Sequence, residues 1–401
     1  MAPWRRTYWV VFSSNLITAI GMMSFLPFFP ALLRNLGIED PGQRMAWTGI
    51  LTGAAPFMAA CMGPIWGSIG DRVGRKPMLI RSLLAISIFV GAMGFATSPW
   101  QLLALRLGQG LFSGFVPPSI TLVSVGAPEA VQGRLTGRLQ AALPVGMIAG
   151  PFVGAYIQSN LGFGELFAFV STAATVSALA VARFAHEDPS LRMSLEGFSP
   201  TSILSHTARD LGEILRRPAI RRALLTLATA QFAVASTTPQ LQLFVEELIG
   251  GSAAEVASRT GWLFTAMAVA GVISTPLWGA AGDRFGHAWA LAAASLATSL
   301  VLGATSLVPV FTLLFAARVV LGCTNPGVGV AAFGLAATNT PDERRGGAMG
   351  AIFSVRALSL SFGSMVGGLL APLLGLRGLF AASALLLAVV VVGTYLARRT
   401  R

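Results

Sequence analysis

The reading of this chain turns on Gly67-Ser68-Ile69-Gly70-Asp71-Arg72-Val73-Gly74-Arg75-Lys76. Three glycines permit a tight turn, and one acid with three bases marks a surface that meets water. On either side the polarity vanishes. Residues 46–66 and 78–96 are apolar runs of about 20 residues, the length a helix needs to cross a bilayer. The charged stretch is therefore the turn of a membrane hairpin. Similar runs occur at 8–32, 100–124, 138–159, 165–183, 223–245, 260–280, 288–307, 309–337, 349–373 and 378–397. They predict twelve helices in two sets of six.

Composition points the same way. Hydrophobic residues make up 54 % of the 401-residue chain and charged residues 11 %, whereas soluble domains carry about a quarter charged. Lipid is the solvent for most of this surface. The run from about 7 to 33, after Arg5 and Arg6, is too long for a signal-peptide core and is read as a span. Cys61 and Cys323 sit inside apolar runs and suggest neither a disulfide framework nor a metal site. The net charge of +12 would suit nucleic acid, but its placement does not. With the N-terminus inside, 21 of the 28 Lys and Arg fall on the cytoplasmic side. Four (Arg34, Arg44, Arg259 and Arg377) fall outside, and Arg106, Arg318 and Arg356 lie within spans. This asymmetry predicts a cell-membrane protein with both termini cytoplasmic, its basic charge explained by topology and anionic lipid rather than nucleic acid.

The halves repeat. A shift of 212 places Gly49, Pro64, Trp66, Gly67, Gly70, Asp71, Arg72 and Gly74 on Gly261, Pro276, Trp278, Gly279, Gly282, Asp283, Arg284 and Gly286. The same shift pairs Pro27 with Pro239 and Arg106 with Arg318. The expected organisation is a six-helix bundle over 1–183, a cytoplasmic linker over 184–222 and a second bundle over 223–401. Within the linker, Ser199-Pro200 starts an amphipathic helix whose apolar face carries Leu204, Ala208, Leu211 and Leu215. A duplicated unit places a binding site between the halves near the midplane, with rocking about it.

The loop Gly67–Lys76 closely resembles the signature loop of the major facilitator superfamily, with a degenerate copy at Gly279–Gly286. The resemblance implies a latch in which Asp71 meets the positive N-terminal dipole of the eleventh helix. Gly67, Arg72, Gly74 and Arg75 belong to that latch, and Glu129 stands at the same rim. Asp283 heads a weaker second latch, because His287 and Ala288 replace Arg75 and Lys76. Arg106-Leu-Gly-Gln109-Gly110 resembles the family's buried arginine motif. Gly146, Gly150, Pro151 and Gly154 in the fifth span resemble the motif of its antiporters, with glycines at i, i+4 and i+8 for close helix approach and a proline to bend the helix. The resemblance covers the whole chain and is closest to the twelve-helix drug:proton antiporters. It implies an all-α membrane protein of two pseudo-symmetric six-helix bundles that exports amphiphilic drugs in exchange for protons. One departure is Gly164-Glu165, where such proteins often carry an aromatic–arginine pair.

What the spans lack matters too. All sixteen acids lie toward one surface or the other, none at a helix centre, and the three histidines are all predicted cytoplasmic. Arg106 is the leading functional residue, with a helix tie to backbone carbonyls as the competing role; Arg318 divides evenly between the two. Arg356 either faces the cavity or snorkels to the surface. Gln109, Gln140, Gln231 and Asn325 are further candidate cavity residues, and Phe25 reads equally as an aromatic cavity wall or as a lipid-facing side chain. A nucleotide-binding loop is excluded because the only lysine, Lys76, precedes Pro77. Neither an enzyme nor a cofactor is expected. The partners expected are a small amphiphilic or anionic substrate, protons and membrane lipids. The competing function is export or facilitated movement of an organic anion or lipid without direct proton coupling.

Overall fold

Prolines and glycines decide where the helices break. The computed structural model describes residues 3–188, 212, 218–340 and 345–399; the side chains of Asp71, Glu129, Arg134 and Arg345 lie outside the description, as does the helix expected from Ser199. The first half runs α1 (Pro3–Phe25), α2 (Phe29–Asn35), α3 (Pro41–Val73), α4 (Arg75–Met93), α5 (Pro99–Phe112), α6 (Val116–Gly126), α7 (Glu129–Gln140), α8 (Ala142–Asn160) and α9 (Phe163–Phe184). The second runs α10 (Pro218–Thr237), α11 (Leu241–Ile249), α12 (Ala253–Phe285), α13 (His287–Ser306), α14 (Phe311–Asn339) and α15 (Arg345–Arg399).

Among the described residues, nine helical stretches are long and apolar enough to cross a membrane. The twelve expected crossings are accounted for at three places. The run 100–124 is cut by Gly114 (φ 119°) and restarts at Val116, with Pro117 and Pro118 in the first turn, which leaves two pieces each too short alone. The run 223–245 is diluted by Gln231, Gln240 and Gln242, all buried, and narrows to a 3-10 turn at Thr238–Gln240. The last two runs join as α15, whose backbone leaves the helical region at Gly375 (φ 70°).

The quoted stretch is more helical than its glycines suggest. α3 continues through Gly67 and Gly70 to Val73, and the turn is Gly74 alone, with φ 122°. Only a glycine adopts that backbone without strain. The repeat survives in three dimensions. Helices α3 and α12 both span 33 residues, and 3-10 turns fall at Leu26–Phe28 and Thr238–Gln240 around Pro27 and Pro239. The Trp66 indole donates to the carbonyl of Leu111 and that of Trp278 to the carbonyl of Cys323, both at 2.7 Å. Outward faces are apolar: Ile88 and its repeat mate Leu300 are 65 % and 66 % exposed. Polar side chains such as Asn15, Ser295 and Thr298 are buried. That inverted distribution suits a lipid solvent.

The contacts divide the chain into two units, Met1–Phe28 with Met58–His206 and Phe29–Phe57 with Thr207–Arg401. In the first, α1 packs on α8 and α9, and α4 on α9. In the second, α10 packs on α15 and α12 on α14, around Phe244, Leu263, Leu302 and Phe380.

Candidate functional site

The fifth-span glycines press α8 onto α1. A Cβ at Gly146 would lie 2.6 Å from the Cβ of Ala19, and one at Gly150 2.6 Å from that of Met23 and 2.9 Å from the Ile20 carbonyl. At Gly154 it would collide with the carbonyl of Ser24. The backbones therefore meet directly, which only small residues allow. The second half repeats the arrangement: Gly363 meets Phe232 and Ala235, and Gly367 meets Ser236, on α10. A shift of 213 maps Gly150 and Gly154 onto this pair. The glycines thus serve helix packing in both halves, and what sets the first apart is Pro151, buried within α8, where the second has Ser364.

Arg106, Gln109 and Phe25 are brought together. Arg106 is 2 % exposed; its Nη1 donates to Gln109 Oε1 at 2.7 Å, and its guanidinium lies 5.8 Å from the centre of the Phe25 ring. Gln109 in turn donates to the sulfur of Met22 at 3.3 Å. Phe25 also packs on Phe167, with centroids 5.6 Å apart, so it belongs to this buried cluster rather than to an open wall. The repeat mate Arg318 is 1 % exposed. Its guanidinium lies 5.1 Å from the Phe380 centroid, and none of its three nitrogens has a hydrogen-bond partner among the described residues. A leucine, Leu321, stands where Gln109 would supply the acceptor.

The remaining candidates are scattered. Gln140 is exposed at the end of α7. Gln231 is buried in α10, and Asn325 is half-buried in α14, its Oδ1 without a hydrogen-bond partner among the described residues. Arg356 is exposed on α15. The first of these belongs to the same unit as Arg106, the other three to the second unit.

At the latch, Arg72 Nη1 donates to the Ser68 carbonyl at 3.0 Å, and the backbone N–H of Arg75 donates to Glu187 at 2.5 Å. The side chains of Asp71 and Glu129 lie outside the description. In the second copy, exposed Asp283 stands 3.7 Å from His287 Nε2, one turn along its own chain. The His287 ring fills the space beside Gly282 and Gly334.

Residues 29–57 bind into the second unit through a dense seam. Ser361 Oγ donates to the Gly53 carbonyl at 2.7 Å, and Gln240 Nε2 to that of Met45 at 3.1 Å. Gly49 and Gly368 meet backbone to backbone. Glu246 pairs with Arg34 and stands 3.6 Å from buried Arg44.

Comparison with known proteins bears directly on this architecture. The model of the Major Facilitator Superfamily matches residues 11–258 and 223–401. The chain belongs to the major facilitator superfamily. As a member, it is a membrane transporter and not an enzyme, and its all-helical, twice-six design is that of the superfamily. Among its relatives, Multidrug resistance protein MdtG of Proteus mirabilis is 30 % identical over 71 % of this chain and 68 % of its own length. That of Citrobacter koseri is 27 % identical over 95 % and 92 %. Solved superfamily folds superpose along the chain. A bacterial homolog of the human lysosomal transporter Spinster, inward-facing and unoccupied, gives a TM-score of 0.80 at 17 % identity, covering 100 % of this chain and 98 % of the other. The human organic anion transporter MFSD10 gives 0.71 at 18 % identity, covering 98 % and 100 %.

Two features of this superfamily member escaped the sequence reading. Arg81, counted there only as a cytoplasmic charge, lies 3.5 Å over the Trp66 ring. Gly363 and Gly367 form the counterpart of the antiporter-motif contact; the signal that finds them is a shift of 213, which also pairs Leu166-Phe167 with Leu379-Phe380.

Proposed function

We propose that this transporter exports small amphiphilic molecules from the cytoplasm in exchange for protons, by alternating access. The observation that carries the reading is the similarity, over 95 % of the chain, to a protein named for multidrug resistance. Pro151 and the glycine contacts of α8 with α1 support it: the repeat mate matches the close backbone seam but not the proline, whose missing N–H favours a bend in the fifth span. The bundles 1–183 and 223–401 would rock about a midplane site, joined by the linker 184–222, with both termini cytoplasmic in an inner or plasma membrane. Asp71, with Gly67, Arg72, Gly74, Arg75 and Glu129, would hold one closed state, and Asp283 a weaker version of the same hold. Arg106, Gln109, Gln140, Gln231, Asn325, Arg356 and Phe25 would contribute to substrate handling or coupling.

A second reading, export of anionic amphiphiles without direct proton coupling, is favoured by one observation. Arg356 presents an exposed cation within a span, with no carboxylate partner among the described residues. Both readings meet in one experiment. Proteoliposomes loaded with a fluorescent dye are assayed with and without an imposed pH gradient. Efflux that accelerates several-fold with the gradient fits antiport, gradient-independent efflux fits the second reading, and no dye movement under either condition refutes both.

A further inference from the structure

A membrane-facing groove of about 820 Å3 runs along α4 beside the end of α9. Its walls at bilayer depth are apolar, with Leu84, Ile88 and Phe112 exposed. Phe112 stacks on Phe89 at 6.1 Å. Its end at the charged hairpin turn is cationic. Lys76 Nζ donates to the Ala185 carbonyl at 2.8 Å and keeps two further N–H groups. The Arg81 guanidinium stands 3.5 Å over the Trp66 ring and donates from Nη2 to Ser82 Oγ at 3.2 Å, while its Nε and Nη1 have no partner among the described residues. Glu187, the one carboxylate among the described residues that line the groove, accepts the backbone N–H groups of Arg75 and Lys76 at 2.5 and 3.3 Å. It is therefore engaged with the N-terminus of α4, where an anion is favoured. His186 completes the rim.

The repeat supplies an internal control. A shift of 212 carries Trp66, Leu84 and Ile88 onto Trp278, Leu296 and Leu300, so the second half keeps the tryptophan tie and the apolar stripe. Lys76 and Arg81 fall on Ala288 and Ala293. The fold thus builds the stripe without needing the cations, and their presence on one half calls for a ligand with a negative head and an apolar tail. We propose that this groove binds one anionic phospholipid, its phosphate at Lys76 and Arg81 and an acyl chain along Leu84, Ile88 and Phe112. A bilayer presents this ligand to the groove in the required orientation, head at the interface and chain at depth. Each basic residue near a membrane surface is worth about five-fold in affinity for anionic lipid.

The test is native mass spectrometry of the delipidated, detergent-purified full chain titrated with dioleoylphosphatidylglycerol or dioleoylphosphatidylcholine. The expected result is one tightly held phosphatidylglycerol, preferred over phosphatidylcholine by roughly 25-fold for two charges. Arg81→Gln lowers that preference about five-fold, Arg81→Lys restores most of it, and Lys76→Gln with Arg81→Gln removes it. A thermal melt of each variant reports that it is folded. Independently of any variant, phosphatidylglycerol carrying a diazirine on its acyl chain should label residues 84–88 or Phe112 of the wild type. Equal binding of the two lipids, an unchanged preference in the double variant, or labelling confined to other helices overturns the proposal. So does binding of glycerol 3-phosphate as tight as that of the lipid, because the tail would then contribute nothing.

Discussion

Gly150→Ala should damage this protein far more than its one added methyl suggests. The new Cβ would sit 2.6 Å from Met23 Cβ and 2.9 Å from the Ile20 carbonyl oxygen. Carbon atoms rest at about 3.5–4.0 Å from one another, and carbon–oxygen contacts at about 3.3–3.6 Å. Helices α1 and α8 must then part by roughly 1 Å, along a seam where Gly146 is as tight and Gly154 tighter still. Overpacking of this kind costs about 1–3 kcal/mol. The same 1–3 kcal/mol, if it falls unequally on two transport conformations, shifts their balance about 5- to 150-fold. Two companions calibrate the result. Gly363→Ala meets Phe232 O at 2.5 Å on α10 and should resemble Gly150→Ala, whereas a Cβ at Gly63 meets nothing within 4 Å. Gly63→Ala, in the interior of α3, should leave stability unchanged or raise it by up to about 1 kcal/mol through helix propensity. The assays are thermal unfolding in detergent and dye efflux from proteoliposomes. Expected are a melting midpoint several degrees lower and slowed efflux for Gly150→Ala. If Gly150→Ala behaves like Gly63→Ala in both assays, the packing argument is wrong.

Three further outcomes are expected. Asp71→Asn should melt like the wild type yet transport at least ten-fold more slowly, and Asp283→Asn should cost less than Pro151→Leu; wild-type turnover of Asp71→Asn at normal expression removes the latch argument. Arg106→Met should lower the melting midpoint, because Gln109 then loses its buried donor partner at a cost of about 1–3 kcal/mol. Arg318→Met should leave the midpoint unchanged or higher, since that guanidinium has no acceptor to lose; equal destabilisation by the two substitutions contradicts this account. Arg356→Gln should raise efflux of permanently cationic dyes relative to matched anionic ones by about five-fold or more, and an unchanged ratio means that this charge does not face the substrate.

Much of the architecture was legible because periodic apolarity is a local property. Each run of about 20 residues reports its own environment, and Lys and Arg placement needs only a choice of side. The breaks at Pro27 and Pro239 were not anticipated: the runs 8–32 and 223–245 read as continuous spans, although proline removes a backbone donor and both narrow to a 3-10 turn there. The extent of α3 was not legible either. Gly67 and Gly70 suggest a flexible turn, but the helix carries through both and only Gly74 leaves it. Nor could residue types separate Arg106 from Arg318. Both are buried arginines at equivalent positions, and the difference between a satisfied and an unsatisfied guanidinium lies three residues on, at Gln109 and Leu321. Phe25 was ambiguous for the same reason: its neighbours Arg106 and Phe167 are distant in sequence.

The duplication separates what the fold requires from what the function adds. Packing explains several features that both halves keep: the Trp66 and Trp278 ties to α5 and α14, the glycine seams on α1 and α10, and the single-glycine turns at Gly74 and Gly286. A six-helix bundle folds with any residues that satisfy those contacts. Where the halves differ, packing offers no reason for the difference, and the unmatched residue is the one to test. Pro151 against Ser364, Gln109 against Leu321, and Lys76 and Arg81 against Ala288 and Ala293 are such places. All three lie in the first half, and two of them put a cation, or the acceptor for a cation, where the second half has an apolar side chain. The second half therefore serves as a built-in control. Transplanting its residues into the first should leave the helices packed while removing whatever the first half alone contributes.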